Sequence, residues 1–201
     1  MRKLVAGLLM SLDGVVESPN VWGWPRYMND EMSQAIVAGI AQADAVLLGR
    51  RTYLEFARIW PDQGSDVPMA DFLNNAPKYV VSTTLRAPLE WENSHLLTGD
   101  LAEQVNNLKR QAGKMILVPG SPRLVRSLLA EGLLDQMSLN ICPIVVGTGL
   151  RLFDGLTKQV SLRLVDSTRL RTGVIGVTYQ AVYDEQGAAA AVSFPGAAAR
   201  D

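Results

Sequence analysis

Four short apolar runs in this chain each stop at a turn rich in small or polar residues. The runs cover residues 45–48, 78–81, 115–118 and 144–146. If they are parallel strands, their carboxyl ends lie along one edge of a sheet, where backbone N–H groups and helix N-termini bind phosphate well. Because the first of these turns carries Arg50 and Arg51, the pattern predicts a site for a phosphorylated nucleotide.

The composition narrows the class of protein. The 201 residues include 19 basic and 20 acidic side chains, and no basic run stands out, so we expect neither a nucleic-acid nor a membrane partner. One cysteine, Cys142, and one histidine, His95, exclude an internal disulfide and a metal site built from these residue types. The apolar run at residues 4–10 is too short to span a bilayer and lacks a cleavage site, so we expect a first strand and a cytoplasmic protein.

Hydrophobic periodicity predicts strands that alternate with helices through the first two thirds of the chain. Strands are expected at residues 3–11, 45–48, 78–81, 94–97 and 115–118, and helices near 30–43, 52–58, 70–74, 101–112 and 122–131. Residues 15–28 are expected to form a long loop. The helix that follows carries an apolar stripe that predicts one buried face: Met32, Ala35, Ile36, Ile40 and Ala43.

The pattern changes after residue 135. Residues 136–141 alternate between apolar and polar, and two further alternating stretches, 161–170 and 174–183, predict an antiparallel hairpin. The expected fold is α/β, with three layers and a mixed, mainly parallel sheet that ends in this hairpin. We expect one domain over residues 1–184, and an alanine- and glycine-rich flexible tail over residues 185–201.

Four motifs, in their order along the chain, resemble the dihydrofolate reductase-like superfamily. They are SLDG at residues 11–14, LLGRRTY at 47–53, GLLD at 132–135 and the segment from Pro143 to Phe153. Within the superfamily, residues 1–183 resemble the branch that shares the reductase domain of the bifunctional riboflavin-biosynthesis deaminase–reductase. This resemblance implies an NADPH-dependent reductase on a three-layer α/β/α fold, often a homodimer.

The resemblance also implies which residues bind the cofactor. Arg50 would meet the 2′-phosphate, with Arg51 beside it, and Thr52 would meet the pyrophosphate. The predicted cofactor-binding residues are Gly49, Arg50, Arg51, Thr52, Ser82, Thr83, Thr84, Gly120, Ser121, Gly147 and Gly149. The alternative interpretation of these positions is ordinary: surface arginines paired with acids, helix caps and tight polar turns.

One position departs from the family pattern. Gly120-Ser121 stands where the family has Gly-Gly. A serine can cap the following helix, but it disfavours the positive φ with which a glycine lets the backbone approach a cofactor closely.

On the substrate side, the first loop carries Trp22, Trp24 and Tyr27. These rings either anchor the loop or form a stacking surface for a flat heterocycle. Asp30 and Glu31 open the next helix, where acids cap the helix and compensate its dipole. In dihydrofolate reductases an acid near this point binds the pterin, so Asp30 is the first candidate for a catalytic acid and Glu31 the second.

The predicted function is hydride transfer from NADPH to a C=N or C=O group. The substrate would be a small heterocyclic molecule, pterin- or folate-like, or a ribosylaminopyrimidine. The alternative is a non-catalytic nucleotide-binding or regulatory protein that retains the reductase fold.

Overall fold

A mixed sheet forms the centre of the molecule in the computed structural model, which describes residues 1–64, 66–67 and 69–183. Within this part of the chain the sheet has eight strands in the order β4-β3-β2-β5-β1-β6-β8-β7. The strands are β1 (Leu4–Ser11), β2 (Ala43–Gly49), β3 (Lys78–Val81), β4 (Ser94–Leu97), β5 (Met115–Pro119), β6 (Gln136–Cys142), β7 (Ser161–Arg169) and β8 (Ile175–Val182). The tail predicted for residues 185–201 lies outside the described residues.

Helices cover both faces of this sheet. They are α1 (Pro19–Trp22), α2 (Trp24–Tyr27), α3 (Asp30–Ile40), α4 (Arg50–Ile59), α5 (Ala70–Asn75), α6 (Leu101–Arg110) and α7 (Pro122–Ala130). Helices α6 and α7 pack on one face in the largest apolar cluster, and α3, α4 and α5 lie on the other face in two smaller clusters. The three layers confirm the predicted α/β fold class.

Strand direction follows the sequence pattern. Along the sheet order β4-β3-β2-β5-β1-β6, each strand runs parallel to the next. Strands β1 and β2 are almost wholly buried because helices cover them on both sides. Strand β8 runs antiparallel to β6, and β7 antiparallel to β8. The hairpin between β7 and β8 turns through Gly173 at a φ of 85°, as the alternating stretches predict.

Helix α3 departs from the prediction of a buried apolar face. Met32 is buried, but Ile36 and Ile40 are only half-buried and Ala35 is exposed. Ala43, the last residue of the predicted stripe, belongs to β2 instead. The helix therefore does not close completely onto the sheet, and the space beneath it is described below.

The segment of residues 144–146 is not a strand, and this prediction was wrong. The N–H groups of Val146 and Gly147 donate to the Asp13 carboxylate, at 3.0 and 2.9 Å, instead of to a neighbouring strand. Residues 15–28 also differ from the predicted loop, because they form the four-residue helices α1 and α2. Each of these helices has a proline in its first turn, where the missing N–H costs nothing.

The boundaries of two other helices also differ from prediction. Helix α4 starts at Arg50 instead of residue 52, and α6 ends at Arg110, ahead of the predicted stop at Gly113. In the described part of the chain, we find no helix with the length and apolar character needed to cross a membrane.

Candidate cofactor and substrate sites

Three turns meet at the carboxyl ends of β2, β3 and β5, and we call them together the turn cluster: residues 49–52, 82–84, and 120 with 121. Strand register brings the first two together, since Gly49 pairs with Val81 and Ser82 follows directly. Hydrogen bonds join the first to the third. The Gly49 N–H donates to Ser121 Oγ at 3.0 Å, and the Ser121 N–H donates to Thr52 Oγ1 at 3.2 Å.

Ser121 has a left-handed backbone, with a φ of 54°, next to Gly120 at 74°. This conformation costs a non-glycine residue about 1–2 kcal/mol. The two hydrogen bonds to Gly49 and Thr52 help to hold it, and the side chain is buried. The serine therefore adopts the positive φ that the sequence disfavours. Its hydroxyl does not cap α7 as predicted, because it accepts the Gly49 N–H instead.

Helices α4 and α7 both start at the turn cluster without a side-chain cap. Helices α3 and α6 are capped by Asn29 and Asp100, which accept the N–H groups of Met32 and Glu103 at 2.9 and 2.8 Å. The short helices α1, α2 and α5 also lack a side-chain cap, so what distinguishes α4 and α7 is that their starts meet at one cluster. The first N–H groups of a helix have no partner within the helix, and its dipole favours an anion at this end. Two uncapped helix starts that share hydrogen-bonded turns form a suitable phosphate site.

Arg50 and Arg51 lie in the first turn of α4, and both are exposed. Across the described residues, neither guanidinium forms an ion pair with an acid. The alternative prediction, a surface arginine paired with an acid, therefore finds no support in this part of the chain. Both side chains can turn towards an anion at the start of the helix.

The turn at residues 82–84 has one buried polar side chain and two exposed ones. Ser82 is buried, and its hydroxyl accepts the N–H groups of Thr84 and Leu85 at 3.1 and 3.0 Å. This is a local serine turn. Thr83 and Thr84 are exposed beside it, and the Thr84 hydroxyl lies 3.5 Å from Ser82 Oγ.

Gly147 and Gly149 lie in a separate turn, which Asp13 organises at the end of β1. The Ser11 hydroxyl and then the N–H groups of Val146 and Gly147 donate to the Asp13 carboxylate, and these hydrogen bonds hold the pKa of Asp13 well below its ordinary value. Gly149 has a φ of 119°, and a Cβ there would approach Val15 to 2.9 Å. Gly147 has a φ of 85°, which also favours glycine. Strand β5 separates this turn from the one at Gly49.

A cavity of about 160 Å³ lies between α3 and the sheet, and we call it the α3 cavity. Its helical wall includes Met32, Ile36 and Ile40, and its floor is formed by β1, β5 and β6. Gly7 opens the floor because it has no side chain. The α3 cavity adjoins the turn cluster, since Pro119 lines it directly before Gly120, and the Gly120 N–H donates to the Gly7 carbonyl at 3.1 Å.

The structure separates the predicted substrate residues into two groups. Trp24 and Tyr27 line the α3 cavity, whereas Trp22 lies outside the lining and its indole N–H donates to the Glu17 carbonyl at 2.8 Å. Neither candidate acid lines it. Asp30 is exposed, and Glu31 Oε2 accepts the Arg171 N–H at 2.8 Å.

Two polar lining residues, Ser138 and Asn140, were missed by the sequence analysis. The alternation of β6 does indicate them. Met137 and Leu139 point into the large apolar cluster, so Ser138 and Asn140 point to the opposite face. That face would have been taken as solvent-exposed, because nothing local shows that α3 stands above it.

The chain has the fold of the dihydrofolate reductase-like proteins. It belongs to the RibD C-terminal domain family, whose model matches residues 2–176. The uncharacterized protein YyaP of Bacillus subtilis strain 168 is 27% identical over 182 residues, which cover 89% of this chain and 94% of that protein. The predicted superfamily and branch are confirmed.

Solved structures show the same fold at low identity. A candidate riboflavin biosynthesis protein from Shewanella sp. PV-4 has a TM-score of 0.73 and 22% identity, covering 90% of this chain and 99% of that one. Dihydrofolate reductase from Enterococcus faecalis has a TM-score of 0.59 and 13% identity, covering 89% of this chain and 96% of that one.

Proposed function

We propose that this protein is an NADPH-dependent reductase that transfers hydride to a C=N or C=O group of a small heterocyclic molecule. The observation that carries the proposal is the pair of uncapped helix starts, α4 and α7, which share the turn cluster. They form a site for a dinucleotide pyrophosphate, and Pro119 links that site to an apolar cavity large enough for the reacting part of a substrate. Membership of the RibD C-terminal domain family supports the same activity.

The residues of the turn cluster fit the proposed cofactor chemically. Thr52 Oγ1 accepts the Ser121 N–H, so its own proton stays free to be donated to a phosphate oxygen. Arg50, with Arg51 beside it, offers a guanidinium to the phosphomonoester that distinguishes NADPH from NADH. Thr83 and Thr84 would bind near the adenosine end, and Gly147 and Gly149 would approach from the turn at β1. When bound, NADPH supplies the hydride.

The protein's own contribution would be to orient the substrate and exclude water. Trp24 and Tyr27 would hold a flat ring in the α3 cavity. Asp30 and Glu31 are close in sequence to Met32, which lines the cavity. Because neither carboxylate lines it, a proton from either acid would reach the substrate through water.

Ser121 bears on the alternative of a protein that binds the nucleotide without turnover. That alternative arose from the replaced glycine, but Ser121 keeps the left-handed backbone that a glycine would adopt. The replacement therefore gives no reason to expect that catalysis is lost. The exposed apolar residues Leu164 and Val165 on the outermost strand, β7, support a further part of the proposal, which is a homodimer.

The test is the binding of NADPH and NADH to the purified protein and to Arg50→Ala, followed by tryptophan fluorescence. We expect NADPH to bind more tightly, and Arg50→Ala to lose on the order of 10–100-fold in NADPH affinity, since a charge-assisted hydrogen bond contributes about 1.5–3 kcal/mol. NADH affinity should change little. The matched control is Arg58→Ala, which removes an exposed arginine from the last turn of the same helix. Equal losses for both cofactors in Arg50→Ala would contradict the assignment.

A further inference from the structure

The α3 cavity differs from the turn cluster in its charge. Among the described residues that line it there is no Asp, Glu, Lys, Arg or His. Its polar side-chain groups there are the hydroxyl of Ser138, the amide of Asn140, the phenol of Tyr27 and the indole N–H of Trp24. Tyr27 is buried and its hydroxyl is 3.4 Å from the Pro143 carbonyl. Ser138 and Asn140 remain for a ligand, together with the indole N–H of Trp24, which can only donate.

A charged group would be unstable in such a cavity. Moving an ion from water into apolar surroundings without a partner costs several kcal/mol or more, whereas a neutral polar group needs only a hydrogen-bond partner. The acids nearest in sequence, Asp30 and Glu31, do not line the cavity, and Glu31 is engaged by Arg171. The described residues that line the cavity therefore offer no carboxylate to a cation and no guanidinium to a phosphate or carboxylate group.

Asn140 is the group best placed to orient a neutral ligand. It lies on β6 between Leu9 of β1 and Gly176 of β8, and its side chain is half-buried. Within the described part of the chain, its amide makes no side-chain hydrogen bond, whereas Ser138 Oγ lies 3.5 Å from Thr178 Oγ1. An amide both donates and accepts, so it can pair with a neutral C=O next to an N–H.

The volume limits what can be buried. A cavity of about 150 Å³ holds roughly one aromatic ring, and the α3 cavity has about 160 Å³. The half-buried Trp24 is also part of the lining, so a second ring can extend along it.

We propose that the part of the substrate buried in this site is one uncharged ring, and that the Asn140 amide orients it. That the ligand is a substrate rests on the proposed reductase function, but the selectivity of the cavity can be measured without any cofactor. It separates this chain from a reductase whose substrate is held inside the cavity by a charged side chain, such as a pterin held by a buried carboxylate.

The experiment compares three probes of one shape and different charge: 2-naphthamide (neutral), 2-naphthoate (anionic) and 2-naphthamidine (cationic). Binding to the full-length protein is measured by titration calorimetry near pH 7. We expect 2-naphthamide to bind at least tenfold more tightly than either ion.

Two variants assign that preference to Asn140. Asn140→Leu should lower the affinity for 2-naphthamide about tenfold, the typical effect of one lost hydrogen bond. Asn140→Asp should move the preference to 2-naphthamidine, because it places a carboxylate in the cavity. Asn107→Leu, an exposed change on α6, is the control, and near-ultraviolet circular dichroism checks that each variant is folded.

Each result supports or overturns the proposal. Tight binding of either ion by the unmodified protein, or no binding of any probe, overturns it. An unchanged preference in both Asn140 variants overturns the assignment to that residue. If 2-naphthamide binds as expected but NADPH does not bind at all, the cavity selectivity stands and the proposed reductase function fails.

Discussion

The turn cluster and the α3 cavity are neighbours on one sheet, but polar side chains hold the first together and mainly apolar side chains line the second. In the turn cluster the buried polar side chains Thr52, Ser82 and Ser121 join one turn to the next or fix a turn internally. In the α3 cavity a helix with a single fully buried residue, Met32, stands above an apolar floor. Directional hydrogen bonds fix the turn cluster, whereas the α3 cavity leaves room for a ligand between the helix and the sheet.

This difference matches the two ligands of the proposed reaction. A dinucleotide has charged phosphates, which need N–H groups and guanidinium groups at fixed positions. A small uncharged substrate needs an apolar space and one or two polar groups that orient it. Each region can therefore be changed while the other is kept, and the predictions below use that separation.

The largest expected effect comes from filling the α3 cavity. Gly7→Leu places a side chain on the open floor, and a Cβ at that position would lie 3.4 Å from Leu117, so the strand itself can accept it. We expect 2-naphthamide affinity to fall on the order of 100-fold, since steric overlap costs about 3 kcal/mol. NADPH affinity should stay within about twofold, by the same relation. A parallel loss of both would show that the two regions are not separable.

The next prediction concerns the stability that buried polar contacts give to the half of the sheet that carries the turn cluster. Lys78 is fully buried, and its Nζ donates to the carbonyls of Leu73, Asn74 and Ala76 at 2.8, 3.1 and 2.9 Å. Lys78→Met leaves these carbonyls unpaired, so we expect the free energy of unfolding to fall by about 2–3 kcal/mol. Urea denaturation measures it.

A matched control is Lys158→Met, since Lys158 is exposed; it should change the free energy of unfolding by less than about 0.5 kcal/mol. If Lys78→Met were as stable as the control, buried polar contacts would not distinguish this half of the molecule.

A smaller effect is expected at Ser121. Ser121→Ala leaves the Gly49 N–H without its acceptor, which should cost about 1–2 kcal/mol of stability. Ser121→Gly loses the same bond but relieves the left-handed backbone, which recovers about 1 kcal/mol. Thermal or urea unfolding should therefore place Ser121→Gly between the alanine variant and the unmodified protein. An alanine variant at least as stable as the glycine variant would contradict the left-handed conformation.

The smallest effect is a pH dependence. Burial lowers the pKa of Lys78 to about 8, an effect that nearby Glu92 opposes. Below pH 8 the lysine is protonated in both states, and above pH 8 the unfolded chain binds more protons than the folded one. The free energy of unfolding should therefore rise with pH, by about 1 kcal/mol between pH 7 and 9. The difference between the unmodified protein and Lys78→Met isolates this contribution, and a difference that is flat with pH would contradict it.

Much of the fold follows from local sequence signals. Gly49 after the run at residues 45–48 and the Asp100 cap three residues before Glu103 both mark where a strand ends or a helix starts, because the physical cause lies within a few residues. The turn cluster could be predicted for the same reason: each turn directly follows its own strand.

The α3 cavity could not be predicted in this way. The stripe of Met32, Ile36 and Ile40 has the spacing of a buried face, and sequence spacing does not reveal whether a sheet fills the space opposite. The alternation of β6 indicates only the face on which Asn140 lies. The part that Asn140 plays depends on a helix about 100 residues earlier in the chain. Ser121 was misjudged because its hydrogen bonds go to Gly49 and Thr52, which are distant in sequence.

The central claim is that the uncapped starts of α4 and α7 bind the pyrophosphate of NADPH. A crystal structure of the protein with NADP⁺ tests this most directly. We predict that the pyrophosphate lies at the turn cluster, with the Thr52 hydroxyl within hydrogen-bond distance of a phosphate oxygen and Arg50 against the 2′-phosphate. A dinucleotide bound elsewhere, or no bound dinucleotide at saturating concentration, would contradict the account.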